Sequence, residues 1–320
     1  MTRLSIIIPM RNAEAYIAAT LRSLLGQAGL DRVQDEIVII DDGSTDRSRA
    51  VVAELSREMP AGTCVRLVDG PGKGISAAMN AALSAARGDL VCRCDADDLY
   101  PPGRIERQVR WLAAHPEFGA VCGNFSTITA KGRPIADFAC GDTEQEITDE
   151  LRRGRTRTHL CTFMIRSEMI RKAGGFRPWF VTAEDIDLQL RLGDVCRVGF
   201  EPAAAYLYRL HDASITHQQA DVRRLFYETT ARTFSEQRRT TGTDDLARGS
   251  PPAPPAADAV ATAPRSSSEQ AQAVLIGASW RHHKAGRRAR AVATGLRACL
   301  TRPGNVGAWK NLCTLIMKRA

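Results

Sequence analysis

Short runs of β-branched residues alternate with alanine-rich stretches through the first hundred positions. Residues 4–8, 36–40, 64–68 and 89–94 read as strands, with helices over 13–28, 45–58 and 74–87 between them. Runs such as SIII and IVII are apolar without alternation, the pattern of strands buried on both faces. Strand and helix in turn at this spacing predict an α/β fold with a doubly wound, parallel sheet and right-handed crossovers. Ligands of such sheets sit beyond the carboxyl ends of the strands. Polar residues gather at those ends: Pro9-Met10-Arg11-Asn12, DDGSTD (41–46) and DADD (95–98).

From about 119 to 240 the order is mixed. Two extended pieces flank a Lys131-Gly132 turn, an apolar strand covers 161–165, and Gly174-Gly175 breaks the chain. A helix over 184–192, short strands near 195–208 and a closing helix near 219–239 follow. Residues 241–268 hold Pro251, Pro252, Pro254, Pro255 and Pro264 among Ala, Ser and Gly, which predicts a flexible linker. Residues 271–300 and 305–319 read as two amphipathic helices broken at Pro303-Gly304. Their apolar stripes are Val292, Leu296 and Leu300, then Trp309, Leu312, Cys313 and Ile316. The expected organisation is an α/β domain over 1–240 with a mixed C-terminal half, a linker over 241–270 and a helical tail over 271–320.

Composition adds that 44% hydrophobic and 25% charged residues describe an ordinary soluble chain. No stretch reaches the ~18 apolar residues of a spanning helix, and the apolar run in MTRLSIIIPM is too short for a secretory core. Nine scattered cysteines without a C-x-x-C pair suggest reduced thiols in a cytoplasm. The net charge of +8 divides unevenly: residues 265–320 carry eleven Lys/Arg against Glu269 alone, and residues 1–264 carry 33 basic and 35 acidic side chains. The basic character therefore belongs to the tail. Its amphipathic helices suit peripheral docking at an anionic membrane surface, or packing on the α/β domain or a partner protein.

Three acidic groups carry the candidate chemistry. Asp41 ends a strand and Asp42-Gly43 opens its loop, where a carboxylate can accept a pyrimidine N–H or a ribose hydroxyl. Ser44 and Thr45 read more simply as turn and helix-capping residues. Asp95 and Asp97 form an Asp-x-Asp beyond the fourth strand, suited to Mg²⁺ or Mn²⁺ with positions left for substrate phosphates. Asp98 follows and also suits capping of the helix after Pro101-Pro102. Glu184 and Asp185 open a helix on which Leu188 and Leu192 share Asp185's face. Asp185 suits a general base with Glu184 behind it, and Thr182-x-x-Asp185 equally suits a capping box. Lys73, before an alanine-rich helix, can meet an anion or stand solvated in its loop. His211, two residues after Arg209, offers a metal or phosphate contact or a structural histidine.

Taken together, SIIIPMRN (5–12), EIVIIDDGSTDRS (36–48), GKGISAAMNAAL (72–83), GDLVCRCDADDLYPPGRIERQ (88–108), the Gly174-Gly175-Phe176 turn, AEDIDLQLRL (183–192) and YRLHDASIT (208–216) resemble a family-2 glycosyltransferase of the GT-A type. The resemblance covers about residues 3–217. It implies inverting transfer of one sugar from a nucleoside-diphosphate sugar, taken as UDP-linked, with Mn²⁺ or Mg²⁺. It places Pro9 and Asp41 at the donor base and Asp42 near the nucleotide. Asp95 and Asp97 then contact ribose and the metal–diphosphate, Asp185 is the catalytic base, and His211 helps hold metal or diphosphate. Asp98, Glu184 and Arg209 are expected to support them.

Processive synthases of this family usually carry Q-x-x-R-W and membrane helices. Here Gln108-Val-Arg-Trp111 has a different spacing, so single addition is expected. The acceptor is an unspecified hydroxyl, lipid-linked if the tail docks on a membrane, in cell-envelope glycan or glycolipid synthesis.

Two other classes use part of this set. An aspartyl-phosphate phosphotransferase also has Asp-x-Asp after a parallel strand, but wants Thr or Ser where Leu99 stands. A non-catalytic nucleic-acid- or membrane-binding protein would use the tail. The near-neutral remainder, without basic strands interleaved with aromatics, argues against specific nucleic-acid binding.

Overall fold

The computed structural model describes residues 3–31, 33–59, 64–212, 221–255 and 266–318. The chain forms two compact units. The first comprises Met1–Phe125, Ala139–Leu207 and Val222–Ala259; the second comprises Ser126–Phe138, Tyr208–Asp221 and Val260–Ala320.

Unit 1 is built on the expected strands β1 (Leu4–Met10), β2 (Glu36–Asp41), β3 (Cys64–Asp69) and β4 (Leu90–Arg93). β1 pairs in parallel with β2 and β4, and β2 with β3. Helices α1 (Ile17–Leu25), α2 (Ser48–Glu58) and α3 (Ile75–Ala85) make the crossovers, and α4 (Arg104–Ala114) follows β4. Every residue of β2 is buried, which is why its sequence reads as one apolar run. Ala78, Met79 and Ala82 of α3 pack on Ile7, Val38 and Ile40.

The remaining strands are β5 (Phe118–Thr129), β6 (Pro134–Phe138), β7 (Gln145–Glu146), β8 (Met164–Arg166) and β9 (Arg197–Leu210). The sheet runs β3-β2-β1-β4-β8-β5-β9-β7, with β6 beside β5. β8 is antiparallel to β4 and β5, and β7 to β9, so the second half is mixed as the sequence suggests. Gly199 of β9 lies under the Trp111 ring, whose carbon would stand 2.1 Å from any added Cβ.

Helices α5 (Thr148–Arg152), α6 (Ser167–Lys172), α7 (Glu184–Val195) and α8 (Asp221–Thr241) complete this part. The expectation of a flexible linker from 241 needs correction at its start. Asp244 is 1% exposed, takes both oxygens to Arg177 Nη1 (2.9 and 2.7 Å) and accepts from Arg238 Nη1 at 2.8 Å. Arg177 also grips Asp187 of α7, which Arg191 holds at 2.7 Å. A buried charge needs such partners, and they fix residues just past α8. Residues 256–265 of the expected linker, with Pro264, lie outside the described residues.

Removing Asp244 leaves two guanidinium groups short of an anion. Asp244→Ala is expected to cost about 3–5 kcal/mol in urea unfolding. Burial pushes the Asp244 carboxyl up, but the Ala247 amide, Arg238 and Arg177 outweigh it and hold it below the usual carboxylate range. A depressed native value means this stability is present above the unfolded pKa and is lost as pH falls through the native one. Melting temperatures taken below about pH 4 should fall less steeply with acid in Asp244→Asn than in the wild type.

Unit 2 corrects the expected tail. It has three helices, α9 (Ser267–Lys284), α10 (Arg288–Thr301) and α11 (Val306–Met317). Ser266 and Glu269 form a capping box that starts α9 before residue 271, and Gly286 at φ 71° separates α9 from α10. Within its unit, Ala271, Leu275 and Ala298 of the tail pack with Ile135 of β6 and Leu210 of β9. In the stripe on α10, Leu296 is 43% and Leu300 63% exposed. Small residues, Ala291, Gly295, Ala298 and Cys299, form the buried side instead.

Candidate active site

Residues from three loops of unit 1 collect beyond the carboxyl ends of its parallel strands. Register places Pro9 against Ile40 and Met10 against Asp41, so the β1 and β2 ends lie side by side. Asp41 is buried; its Oδ2 accepts from Arg49 Nη1 at 2.7 Å and its Oδ1 from the Ser44 amide at 3.0 Å. Burial raises this carboxyl, yet Ser44 and Arg49 outweigh burial and keep it below its ordinary range. Asp41 is thus an anion with lone pairs beyond those two bonds.

Asp42 has a different job. Its oxygens accept from the amides of Gly72 (2.7 Å) and Gly74 (3.1 Å), so it shapes the loop before α3. Both glycines have positive φ, 65° and 86°, the region that favours residues without Cβ. Lys73 stands exposed between them.

The Asp-x-Asp turn follows β4. The Asp98 amide donates to the Asp95 carbonyl at 3.1 Å, and the Asp95 amide to Tyr206 Oη at 2.9 Å. Asp95 and Asp97 are half-buried, and Asp98 is 1% exposed. Asp95 Oδ1 accepts from Arg93 Nε at 2.6 Å, and Cys161 Sγ lies 3.6 Å from its Oδ2. The same guanidinium reaches Glu184 Oε1 through Nη1 at 3.1 Å. One buried cation therefore joins the Asp-x-Asp loop to the start of α7. Burial pushes the Arg93 guanidinium down, but Asp95, Cys161 and Glu184 raise it well above its usual value, so it stays charged. Burial pushes Glu184 up, Arg93 pulls it down, and Asp185 adds to the rise.

Asp185 is half-buried on the first turn of α7, and Leu188 and Leu192 are buried. The Thr182-x-x-Asp185 capping box does not form. Ala183, in a left-handed conformation at φ 58°, precedes the helix with no side-chain cap. His159 lies edge-on to Phe125 with ring centroids 4.4 Å apart. Burial lowers its pKa, Asp185 raises it and Arg224 lowers it, leaving it below the usual value. Burial thus favours its neutral form, against the pull of Asp185.

Two expected site residues belong to unit 2. Arg209 is 3% exposed and donates to the carbonyls of Ala130 (2.8 Å) and Thr129 (3.4 Å), so its contacts brace the β5–β6 turn. His211 is 5% exposed just past β9. Residues 213–216 of the matching segment lie outside the described residues.

The sequence reading passed over Arg93, His159, Cys161 and Tyr206. Arg93 had a visible signal, a lone charge inside the apolar strand LVCRC. The other three reach the site through folding alone.

The donor atoms of the Asp-x-Asp turn are carboxylate oxygens, the ligands hard divalent ions take. Among the described residues no group of three or more His, Cys, Asp or Glu forms a cage. The set suits an ion that takes one or two carboxylates and completes its shell with phosphate oxygens and water.

Comparison with known proteins gives a consistent picture. Residues 5–176 match the family model described as glycosyl transferase family 2. The chain is 28% identical over 221 residues to the chondroitin synthase of Pasteurella multocida, covering 69% of this chain and 22% of that one. It is 30% identical over 192 residues to a hyaluronan synthase of P. multocida, covering 60% and 19%. The chain thus spans about a fifth of the length of these two curated relatives. Two solved structures share the fold. TarS residues 1–349 from S. aureus, in complex with UDP-GlcNAc, has a TM-score of 0.57 at 16% identity, covering 98% of this chain and 90% of that one. The mannosyltransferase PcManGT from Pyrobaculum calidifontis, in complex with GDP-Man and Mn²⁺, has a TM-score of 0.55 at 20% identity, covering 98% and 79%.

Proposed function

This chain belongs to the glycosyl transferase family 2, and from that premise we propose that it moves one sugar from a UDP-linked donor to an acceptor hydroxyl with inversion. The observation that carries this reading is the Arg93 bridge. It links Asp95, on the side of the leaving nucleotide, to Glu184, the neighbour of Asp185.

In the proposed reaction Asp185 accepts the proton of the acceptor hydroxyl. The freed oxygen lone pair forms the bond to the anomeric carbon while the bond to the diphosphate oxygen breaks from the opposite face. Asp41 offers its remaining lone pairs to a base N–H beside Pro9, and Asp95 accepts from ribose. Lys73, on the loop that Asp42 shapes, meets the diphosphate. Asp97 would hold a divalent ion, which neutralises charge on the departing diphosphate. His211 has no step in this scheme.

The acceptor is proposed to be a lipid-linked hydroxyl used in the cytoplasm for cell-envelope glycan. The mannosyltransferase relative carries Mn²⁺ with its donor, which supports the metal for this chain.

Release of nucleoside diphosphate should require Mn²⁺ or Mg²⁺, fall to background with EDTA, and return when metal is restored. Asp97→Ala should lose that response. UDP-sugars at 100 times Kd should stabilise the fold by about 2.7 kcal/mol, read as a rise in melting temperature with Mn²⁺ present. Protection by GDP-sugars alone would overturn the UDP assignment, and full turnover in EDTA would overturn the metal.

A further inference from the structure

Among the described residues, two helices of unit 2 carry an exposed apolar face. On α11, Val306 (65% exposed), Trp309 (38%), Ile316 (46%) and Met317 (82%) recur with Cys313 at i, i+3, i+7, i+10 and i+11. That spacing gathers them into an arc about 100° wide. The opposite side of the helix holds the buried Ala308, Leu312 and Leu315. On α10, Ala289, Ala293, Leu296 and Leu300 recur at i, i+4, i+7 and i+11, all of them exposed. Between the two helices runs a seam in which Val292 and Cys299 pack with Ala308 and Leu312.

The charge around this face has one sign. Residues 267–318 contain nine Lys/Arg and a single acid, Glu269. Glu269 is itself paired with Arg302 at 2.9 Å. Arg290, Arg297, Lys310 and Lys318 lie exposed along the two helices that bear the stripes. Burial first, and then the Arg287, Arg290 and Arg281 charges, hold the His282 imidazole below its usual pKa.

We propose that the outer face of α10 and α11 is a docking surface for an anionic lipid bilayer. The stripes would enter the boundary between headgroups and acyl chains, with Trp309, whose indole N–H donates to the Pro303 carbonyl, at interfacial depth. Each Lys or Arg near such a surface adds attraction that salt screens. Duplex nucleic acid would satisfy the charge and leave the apolar arc uncovered. A second copy of this chain would bring like charge against like charge.

The full chain, without donor or acceptor, is tested by co-sedimentation with vesicles of phosphatidylglycerol and phosphatidylcholine, and with phosphatidylcholine alone. Binding to the anionic vesicles only, weakened at least tenfold between 50 and 500 mM salt, is the expected result, the salts being about a threefold change in Debye length. Leu300→Asp and Met317→Asp alter side chains already in solvent, so folding is spared. Each should weaken partition about tenfold, as should Arg297→Glu with Lys310→Glu. Equal binding to both vesicle types, or unchanged partition of all these variants, overturns the proposal. So does a dimer that the same Asp substitutions dissociate while vesicle binding stays at background. Melting temperatures of the variants within a few degrees of wild type show that the readout is the surface and not the fold.

Discussion

Asp185→Asn should lower sugar transfer by about 10²–10⁴-fold, the usual share of a general base, while donor binding stays near the wild-type level. The substitution keeps the shape of the side chain and removes its ability to take a proton. Asp185 sits half-buried at the first turn of α7, and Glu184 beside it turns to Arg93. The two neighbouring acids thus differ: Glu184 is tied to the fold through Arg93, and Asp185 is the proposed base. Thermal protection by the nucleotide sugar reads donor binding separately from turnover. Wild-type turnover in Asp185→Asn would remove it as the base. A parallel loss of donor protection would show that the substitution disturbs more than the proton transfer.

Arg93→Met should be the most damaging change outside that base. Arg93 is nearly buried and meets two carboxylates, Asp95 and Glu184. Taking away the cation leaves both anions without compensation, a loss of about 3–5 kcal/mol by the usual cost of breaking a buried pair. Arg93→Lys keeps the charge but offers a single point in place of a planar fork, so it cannot span both partners equally. It should retain most of the stability and still lower kcat, because Asp95 and the start of α7 are no longer fixed to each other. Adding Glu184→Gln to Arg93→Met removes one orphaned anion and should recover part of the lost stability. Urea midpoints check the first and last outcomes, and initial rates with saturating donor check the second. An Arg93→Met protein within about 1 kcal/mol of wild type, well below the expected loss, would show that the bridge holds nothing together.

Much of unit 1 is legible in the sequence because buried parallel strands announce themselves. SIII, IVII and LVC are continuous apolar runs, and polar residues begin where each strand ends. What eluded that reading depends on partners far along the chain. Nothing local to Asp42 says that its oxygens belong to the amides of Gly72 and Gly74, thirty residues away. Arg93 is a lone charge in an apolar strand, and its meaning lies at Glu184, ninety-one residues on. Thr182-x-x-Asp185 has the letters of a capping box, yet Ala183 takes a left-handed turn that moves the helix start past Thr182. In α10 the stripe of Val292, Leu296 and Leu300 suits either a membrane surface or packing on protein. The helix packs through Ala291, Gly295 and Ala298, whose small size lets its neighbours approach closely, and sequence periodicity weights such residues lightly.

The way α9 and α10 pack on Ile135 and Leu210 has a practical consequence for anyone wishing to separate catalysis from the basic tail. Ala271, Leu275 and Ala298 roof the end of a hairpin and the end of a strand contributed by the first two-thirds of the chain. A protein cut short before Ser266 would not be a tidy catalytic fragment. It would carry a newly wetted apolar patch, and its failure could be mistaken for evidence that the tail takes part in chemistry. Surface substitutions keep that roof in place, so they can report on what the tail touches without first asking whether the rest still folds.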